Sequence, residues 1–153
     1  YHRSLARLYD PAYLNLQLVQ QGFSSKFLVQ EEELSLFANA EKSAIEEGKG
    51  IWKHSQWYGC LTTDIDKKKE IVSFTRTCNI PSMNGWSLKD ESRKTYRFNS
   101  TPHEQFTLAS SAGQDNSAEL FWNAQTDVWN NDRDSLYLFD DQNQIVHYES
   151  YGY

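Results

Sequence analysis

The sequence predicts a mainly β protein, with a small β-sandwich of short strands that follows a shorter helical segment. Three observations lead to this fold class. In the last hundred residues, apolar and polar side chains alternate over short runs, which is the pattern of strands with one buried face. Turn-forming clusters such as Asn84-Gly85 and Ser110–Gly113 separate these runs. Before residue 54, apolar residues instead recur every three to four positions, as in amphipathic helices.

The first 53 residues predict one strand and two helices. The strand is expected over residues 1–9, and Pro11 then signals a turn or a helix start. The first helix should end at Gly22, since glycine readily adopts the conformation that terminates a helix. The second helix should begin at Glu31–Glu33, because acidic residues suit the positive end of a helix dipole, and end at Gly48.

Eight strands are expected in the rest of the chain. The last two flank the polar turn Asp140–Asn143 and should form a hairpin in which Leu136, Leu138, Val146 and Tyr148 share one face. Many short strands with regular turns favour a sandwich. The expected strands are Gly59–Thr63, Glu70–Arg76, Trp86–Lys89, Thr95–Phe98, Glu104–Ala109, Ala118–Trp122, Ser135–Phe139 and Ile145–Tyr148.

Charge and hydropathy restrict the classes of function. The 153 residues carry a formal net charge of −6, of which −1 falls on residues 1–53 and −5 on the remainder. Binding to nucleic acid depends on Lys and Arg, so the acidic balance argues against broad nucleic-acid binding by the second half. It does not exclude a local basic groove. The sequence has no apolar run long enough to span a membrane. It also shows no signal peptide and no Met at position 1, so we expect a piece of a longer, processed or truncated product.

Cys60 and Cys78 are the only cysteines. They could form one disulfide in an oxidising compartment or remain two buried thiols. No metal-ligand spacing accompanies them, so no metal site is predicted there.

Several residues near the strands have competing interpretations. Trp86 and Trp129 are expected to be core aromatic residues, the alternative being a stacking platform for a base or sugar. Asn130, Asn131 and Asp134 are expected to hydrogen-bond turn amides. A calcium site is a further alternative, although the EF-hand spacing is absent. Its ligands would be Asp132, Asp134, Asp140 and Asp141.

Two motifs carry a resemblance in the C-terminal part. They are Gly-Trp-x-Leu-x-Asp at 85–90 and Trp-Asn-Asn-x-x-Asp-x-x-x-Leu at 129–138. With the strands around them, they resemble the lamin-tail domain over residues 58–153. The resemblance implies an immunoglobulin-like β-sandwich that serves as a binding or accessory module. Such modules follow coiled coils in nuclear filament proteins and also follow secreted prokaryotic nucleases. No heptad array precedes this one, and the resemblance of the preceding segment, given next, favours the nuclease context.

The first 52 residues carry a second resemblance. A Tyr-x-Arg-x-Leu-Ala segment, an Asn-x-x-Leu-Val-x-x-Gly helix and an Ala-Glu-x-x-Ala helix ending in Gly-Ile-Trp follow in that order. This order resembles the thermonuclease family, whose OB-fold barrel hydrolyses phosphodiester bonds with calcium-bound carboxylates and two arginines. The resemblance places Arg3 at the second catalytic arginine and Tyr1 beside the nucleotide pocket. His2 replaces the family's usual glycine. The family's metal-binding aspartates, first arginine and general-base glutamate have no counterpart in this sequence.

We therefore expect a partial thermonuclease-like segment at 1–53, a linker at 54–58 and a lamin-tail-like sandwich at 59–153. The expected function is that of the C-terminal portion of a secreted prokaryotic phosphodiesterase that acts on nucleic acid. The longer enzyme would use calcium. The chain alone should hold no cofactor and be inactive, because an arginine without metal carboxylates cannot activate water.

The alternative is a non-catalytic module of an extracellular or envelope protein, with an unknown protein or envelope ligand. Half a barrel would also expose apolar residues. We expect Leu5, Leu8, Leu14, Leu18, Phe37 and Trp52 to need a cover, by the sandwich, by self-association or by a missing fragment.

Overall fold

A computed structural model describes residues 6–153. The described chain falls into two compact units, with the division between Lys53 and His54. Tyr1 and Arg3 lie outside the described residues, so their expected roles stay predictions.

The first unit is a pair of helices followed by one turn of 3₁₀ helix. Helix α1 spans Leu14–Gln20, helix α2 spans Glu31–Glu46 and the 3₁₀ turn spans Gly50–Trp52. The three glutamates at the start of α2 lie in its first turn, where the helix dipole favours negative charge. Both helices lie where the apolar periodicity predicted them. Their small shared core consists of Val19, Phe37 and Ala40, with Tyr13, Leu16 and Val29 packed against it.

The loops that end the two helices touch at a pair of glycines. Gly22 and Gly50 both have positive φ angles, of 71° and 55°. The Ile51 amide donates to the Gly22 carbonyl over 2.8 Å. A Cβ atom on Gly50 would lie 2.2 Å from that carbonyl oxygen, so only glycine fits this approach.

The strand expected at 1–9 does not extend into the described residues 6–9. Tyr9 forms only an isolated bridge with Tyr13. The side chain of Asn15 makes the backbone hydrogen bonds that a neighbouring strand would otherwise make. The Asn15 carboxamide accepts from the Leu8 amide at 2.9 Å and donates to the Ala6 carbonyl at 3.0 Å.

The second unit is a sandwich of two four-stranded sheets, and each of the eight expected strands is present. One sheet has the order β1-β2-β5-β6 and the other β4-β3-β7-β8. All pairs are antiparallel except β5 and β6, which are parallel. The strands are β1 Leu61–Asp66, β2 Ile71–Arg76, β3 Ser87–Lys89, β4 Thr95–Arg97, β5 Gln105–Ala109, β6 Glu119–Phe121, β7 Asp134–Phe139 and β8 Ile145–Tyr151.

The core of the sandwich contains the tryptophans of both sequence motifs. Trp86 and Trp129 are each only 2% exposed. They belong to one buried cluster with inward-facing residues such as Phe74 and Leu108. Their burial excludes the alternative in which they form a stacking platform for a base or sugar.

The hairpin β7–β8 differs from the expected alternation because β8 contains a bulge. Phe139 pairs with Ile145 and Leu138 pairs with His147, so Val146 is an extra residue in β8. An extra residue shifts the following side chains to the opposite face. Tyr148 consequently lies opposite Tyr137, not on the face of Leu136 and Leu138, and the prediction for Tyr148 was wrong.

A disulfide joins Cys60 to Cys78, with their Cα atoms 5.1 Å apart. Of the two alternatives left open by the sequence, the structure therefore contains the bridge. It ties the residue before β1 to the loop that follows β2. The free-thiol alternative does not apply to this structure.

Candidate functional site at the edge between the two sheets

The four aspartates of the alternative calcium site lie at the two ends of one strand. Asp134 begins β7 and Asp140 directly follows it. At about 3.3 Å per residue, six residues of strand separate them by roughly 20 Å. They cannot share one ion. Within residues 6–153, no group of three or more His, Cys, Asp or Glu side chains could hold a metal.

Asp134 and Asp140 instead bind backbone amides. The fully buried Asp134 carboxylate accepts from the amides of Glu91, Asn130 and Ser135, and also from the Asn130 side chain, over 2.8–3.1 Å. Asp140 accepts from the amides of Gln142 and Gln144, which closes the hairpin turn. The turn-binding role predicted for Asp134 is thus what the structure shows.

A polar cluster that the sequence did not reveal lies where one edge of each sheet meets the other. Thr63 is on the inward face of β1, since it pairs with the buried Phe74. Its hydroxyl lies 2.8 Å from His147 Nε2 and donates to Glu149 Oε2. His147 and Glu149 both belong to β8, so the cluster joins the two sheets.

The bulge brings these side chains together. Because Val146 is extra, His147 and Glu149 pair with Leu138 and Leu136 and point toward the space between the sheets. Strict alternation would have turned both away from Thr63. The sequence carries no signal for the cluster, since Thr63 is more than eighty residues from β8.

The hydrogen positions follow from counting donors. The Thr63 hydroxyl has one hydrogen, which it donates to the Glu149 carboxylate. His147 Nε2 must therefore carry a proton and donate it to the Thr63 oxygen. The cluster is a relay from imidazole to hydroxyl to carboxylate.

This relay differs from the arrangement of a nucleophilic triad. In a triad the histidine accepts the hydroxyl proton, and the carboxylate holds the opposite imidazole nitrogen. Here Glu149 lies 3.9 Å from Nε2 itself, and the histidine is a donor. The Thr63 hydroxyl is held as a link between the sheets and is not activated for attack.

The carboxylate of this cluster is sensitive to acid. The nearby His147 imidazole lowers the pKa of Glu149, with a further contribution from the hydrogen bond that Thr63 donates, against the opposing effect of burial. A carboxylate with a depressed folded-state pKa contributes stability above its unfolded-state pKa and loses it as pH falls through the folded value. The link between β1 and β8 should therefore weaken below about pH 4.5.

We expect Glu149→Gln to destabilise the sandwich at neutral pH but progressively less as pH falls toward 3, because the wild-type carboxylate becomes protonated. Urea midpoints measured by circular dichroism between pH 3 and 7 test this. Asp64→Asn is the control, since Asp64 is an exposed residue on the same β1 strand. An equal difference between wild type and Glu149→Gln at every pH would contradict the expectation.

A second polar feature of the sandwich is a cleft beside the disulfide. Its volume is about 320 Å³. Its walls come from the end of β2, the loop after it and the residue before β5. They consist of Arg76, Thr77, Cys78, Asn79 and Glu104.

Comparison with known protein families agrees with the sandwich. The model of the lamin tail domain matches residues 77–153. The chain belongs to the lamin-tail domain family. A comparison with curated proteins found no match. No helix within residues 6–153 is long and apolar enough to cross a membrane.

The matched range covers only part of this lamin-tail sandwich. It begins after β2 and contains six of the eight strands. Strands β1 and β2 pair with each other, and β2 pairs with β5, so they complete the first sheet from outside the matched range. The family match thus supports the lamin-tail resemblance over residues 77–153, and its expected extension back to about residue 58 stays a prediction.

Proposed function

We propose that this chain is the C-terminal portion of a secreted, calcium-dependent, thermonuclease-like phosphodiesterase with an accessory lamin-tail sandwich. The substrate of the longer enzyme would be nucleic acid. The sandwich would bind a partner or support the enzyme without taking part in the chemistry, since the polar side chains of Thr63, His147 and Glu149 link its two sheets.

The observation that carries the proposal is that separate parts of the thermonuclease-like motif meet in the folded first unit. Asn15, from the helix motif, binds the backbone of Ala6 and Leu8. Gly22, which ends that motif, accepts from the amide of Ile51 in Gly-Ile-Trp. Residues that carried the resemblance in sequence thus contact one another, as expected if they belong to one inherited fold.

Exposed apolar side chains in the first unit also support a larger domain. Phe37 and Trp52, which were expected to need a cover, are buried, whereas Leu8 and Leu18 remain exposed as expected. Small soluble domains rarely expose so many large apolar residues without a partner surface. The exposed set is Leu8, Tyr9, Leu18, Phe23, Phe27, Leu36 and Ile51.

The disulfide supports a secreted location. Disulfides persist in oxidising compartments and are uncommon in the reducing cytosol. The bridge closes a loop within the sandwich, which would suit a small module outside the cell.

The test compares this chain with the longer natural protein that includes the sequence upstream of Tyr1. With calcium and DNA or RNA, the chain alone should show no hydrolysis, and the longer protein should hydrolyse phosphodiester bonds. In the longer protein, Arg3→Ala should lower kcat by about 100-fold or more, as loss of a transition-state donor does.

Arg7→Ala is the matched control, because Arg7 is also on the N-terminal segment but pairs with Glu33 on the surface. It should leave the rate within about threefold, since exposed ion pairs contribute little. Arg3-dependent hydrolysis by the chain alone would overturn the proposal, as would a longer protein with no activity on either nucleic acid.

The second candidate is a non-catalytic binding module of an extracellular or envelope protein. It is favoured by the family match, which covers six of the eight strands of the sandwich and none of the first unit. The same experiment separates the two, because a longer protein without nuclease motifs or hydrolysis is the result expected of a binding module.

A further inference from the structure

The cleft beside the disulfide presents one positive and one negative group that are not paired with each other. Arg76 and Glu104 are neighbours across the sheet, since the Arg76 amide donates to the Glu104 carbonyl over 2.8 Å. Both residues line the cleft. Among the described residues, neither the guanidinium nor the carboxylate forms an ion pair.

The Arg76 guanidinium is held on one side only. Its Nη1 donates to the Ile80 carbonyl over 3.1 Å, whereas Nε is buried and has no hydrogen-bond partner among residues 6–153. The edge formed by Nε and Nη2 is the edge that arginine uses to bind a carboxylate with two parallel hydrogen bonds. Because Nε is buried, this side chain would have to move to present that edge to a ligand carboxylate.

The disulfide has one accessible sulfur-bearing residue and one shielded one. Cys78 is exposed and lines the cleft, whereas Cys60 is 8% exposed and belongs to the buried core cluster. A thiolate arriving through the cleft would therefore reach the Cys78 sulfur. Access is one of the factors that decide which sulfur of a disulfide is attacked.

We propose that Cys78 is a site of thiol–disulfide exchange with a small zwitterionic thiol of the α-amino-acid class, whose carboxylate binds Arg76 and whose ammonium group binds Glu104. A cleft of about 320 Å³ is at the lower end of the range for small-molecule pockets and has room for one amino acid. The opposite charges of these two neighbouring residues suit a ligand that carries both signs.

The exchange is balanced without a further reactant. The ligand thiolate attacks Cys78 Sγ and forms a new S–S bond, while the Cys60–Cys78 bond breaks and its electron pair leaves on Cys60 Sγ. The ligand sulfur is oxidised and the Cys60 sulfur is reduced. The Cys60 thiolate then takes a proton from solvent, and Cys78 carries the mixed disulfide.

The experiment measures the rate at which three thiols modify the intact chain. They are L-cysteine, cysteamine, which has only the ammonium group, and 3-mercaptopropionate, which has only the carboxylate. Aliquots are alkylated to trap freed Cys60, and tandem mass spectrometry locates the adduct. For each thiol, the rate for a variant is divided by the wild-type rate, so the intrinsic reactivity of the thiol cancels.

Arg76→Gln should lower the reaction rates of L-cysteine and 3-mercaptopropionate by about three- to fivefold, the scale of an exposed ion pair. The rate of cysteamine should not fall. Glu104→Gln should lower the reaction rates of L-cysteine and cysteamine and raise that of 3-mercaptopropionate. Arg97→Gln, an exposed charge on β4 outside the cleft wall, is the control and should change no rate by more than about twofold.

Three results would overturn the proposal. They are adducts on Cys60 in place of Cys78, no adduct with L-cysteine, and equal changes for all three thiols in both variants. Circular dichroism checks that each variant is folded. If a variant unfolds, N-acetyl-L-cysteine and L-cysteine methyl ester are compared on the wild-type chain at matched thiolate concentration, where each should react more slowly than L-cysteine.

Discussion

Asp134→Ala is expected to lower the free energy of unfolding of the sandwich by about 3 kcal/mol or more. The carboxylate is fully buried and accepts from three backbone amides and one side-chain amide. Alanine would leave these N–H groups without their acceptor, and each buried unsatisfied group costs about 1–3 kcal/mol. Water entering the space would recover part of this loss. Urea unfolding followed by circular dichroism measures the difference.

Asp132→Ala is the matched control for this prediction. Asp132 has the same side chain two residues earlier and is exposed, so its replacement should change stability by less than about 0.5 kcal/mol. If both variants were equally stable, the carboxylate of Asp134 would not be organising the loops around the start of β7.

Trp129→Ala is expected to cost about 3–5 kcal/mol, the usual range for removal of a large buried aromatic side chain. The ring is 2% exposed and packs edge-on against Trp122, with ring centroids 6.2 Å apart. The backbone amide of Trp129 is also held by the Glu70 carboxylate, which limits how far the chain can collapse into the cavity. Unfolding should again be followed by circular dichroism.

Trp122→Ala provides the comparison, because this ring belongs to the same pair but is only partly buried. It should cost clearly less than Trp129→Ala. If Trp122→Ala lowered the free energy of unfolding by more than Trp129→Ala, the partly buried ring would contribute more to stability than the buried one.

Much of the second unit could be predicted because its strands are locally consistent. Alternating side chains placed all eight strands, and turn residues such as those at 140–143 separated them. The tryptophans of the two motifs were correctly expected in the core, since a large apolar ring between inward-facing neighbours has few other stable positions.

The cluster of Thr63, His147 and Glu149 could not be predicted for two physical reasons. A one-residue bulge leaves the local sequence looking like an ordinary alternating strand, although it reverses the faces beyond Val146. Contacts between β1 and β8 also join residues far apart in the chain, and one sequence does not say which strand edges meet. The cleft around Arg76 depends on the same kind of long-range pairing.

For the first unit, the sequence predicted the helices and their glycine ends but not the manner in which they meet. Positive φ at Gly22 follows from its position after a helix. The close approach of Gly50 to its carbonyl follows only from how the chain returns after α2.

The sequence by itself determined the class of the protein: a lamin-tail sandwich behind a helical segment, with strands, helices and core residues set by periodicity and turn chemistry. Only the tertiary structure decided that Cys60 and Cys78 are bridged, that Asp134 and Asp140 lie at opposite ends of β7, and which polar groups meet at the sheet edges. The physical reason is that periodicity acts between neighbours in the chain, whereas hydrogen bonds and disulfides between distant segments depend on strand order, register and a single bulge.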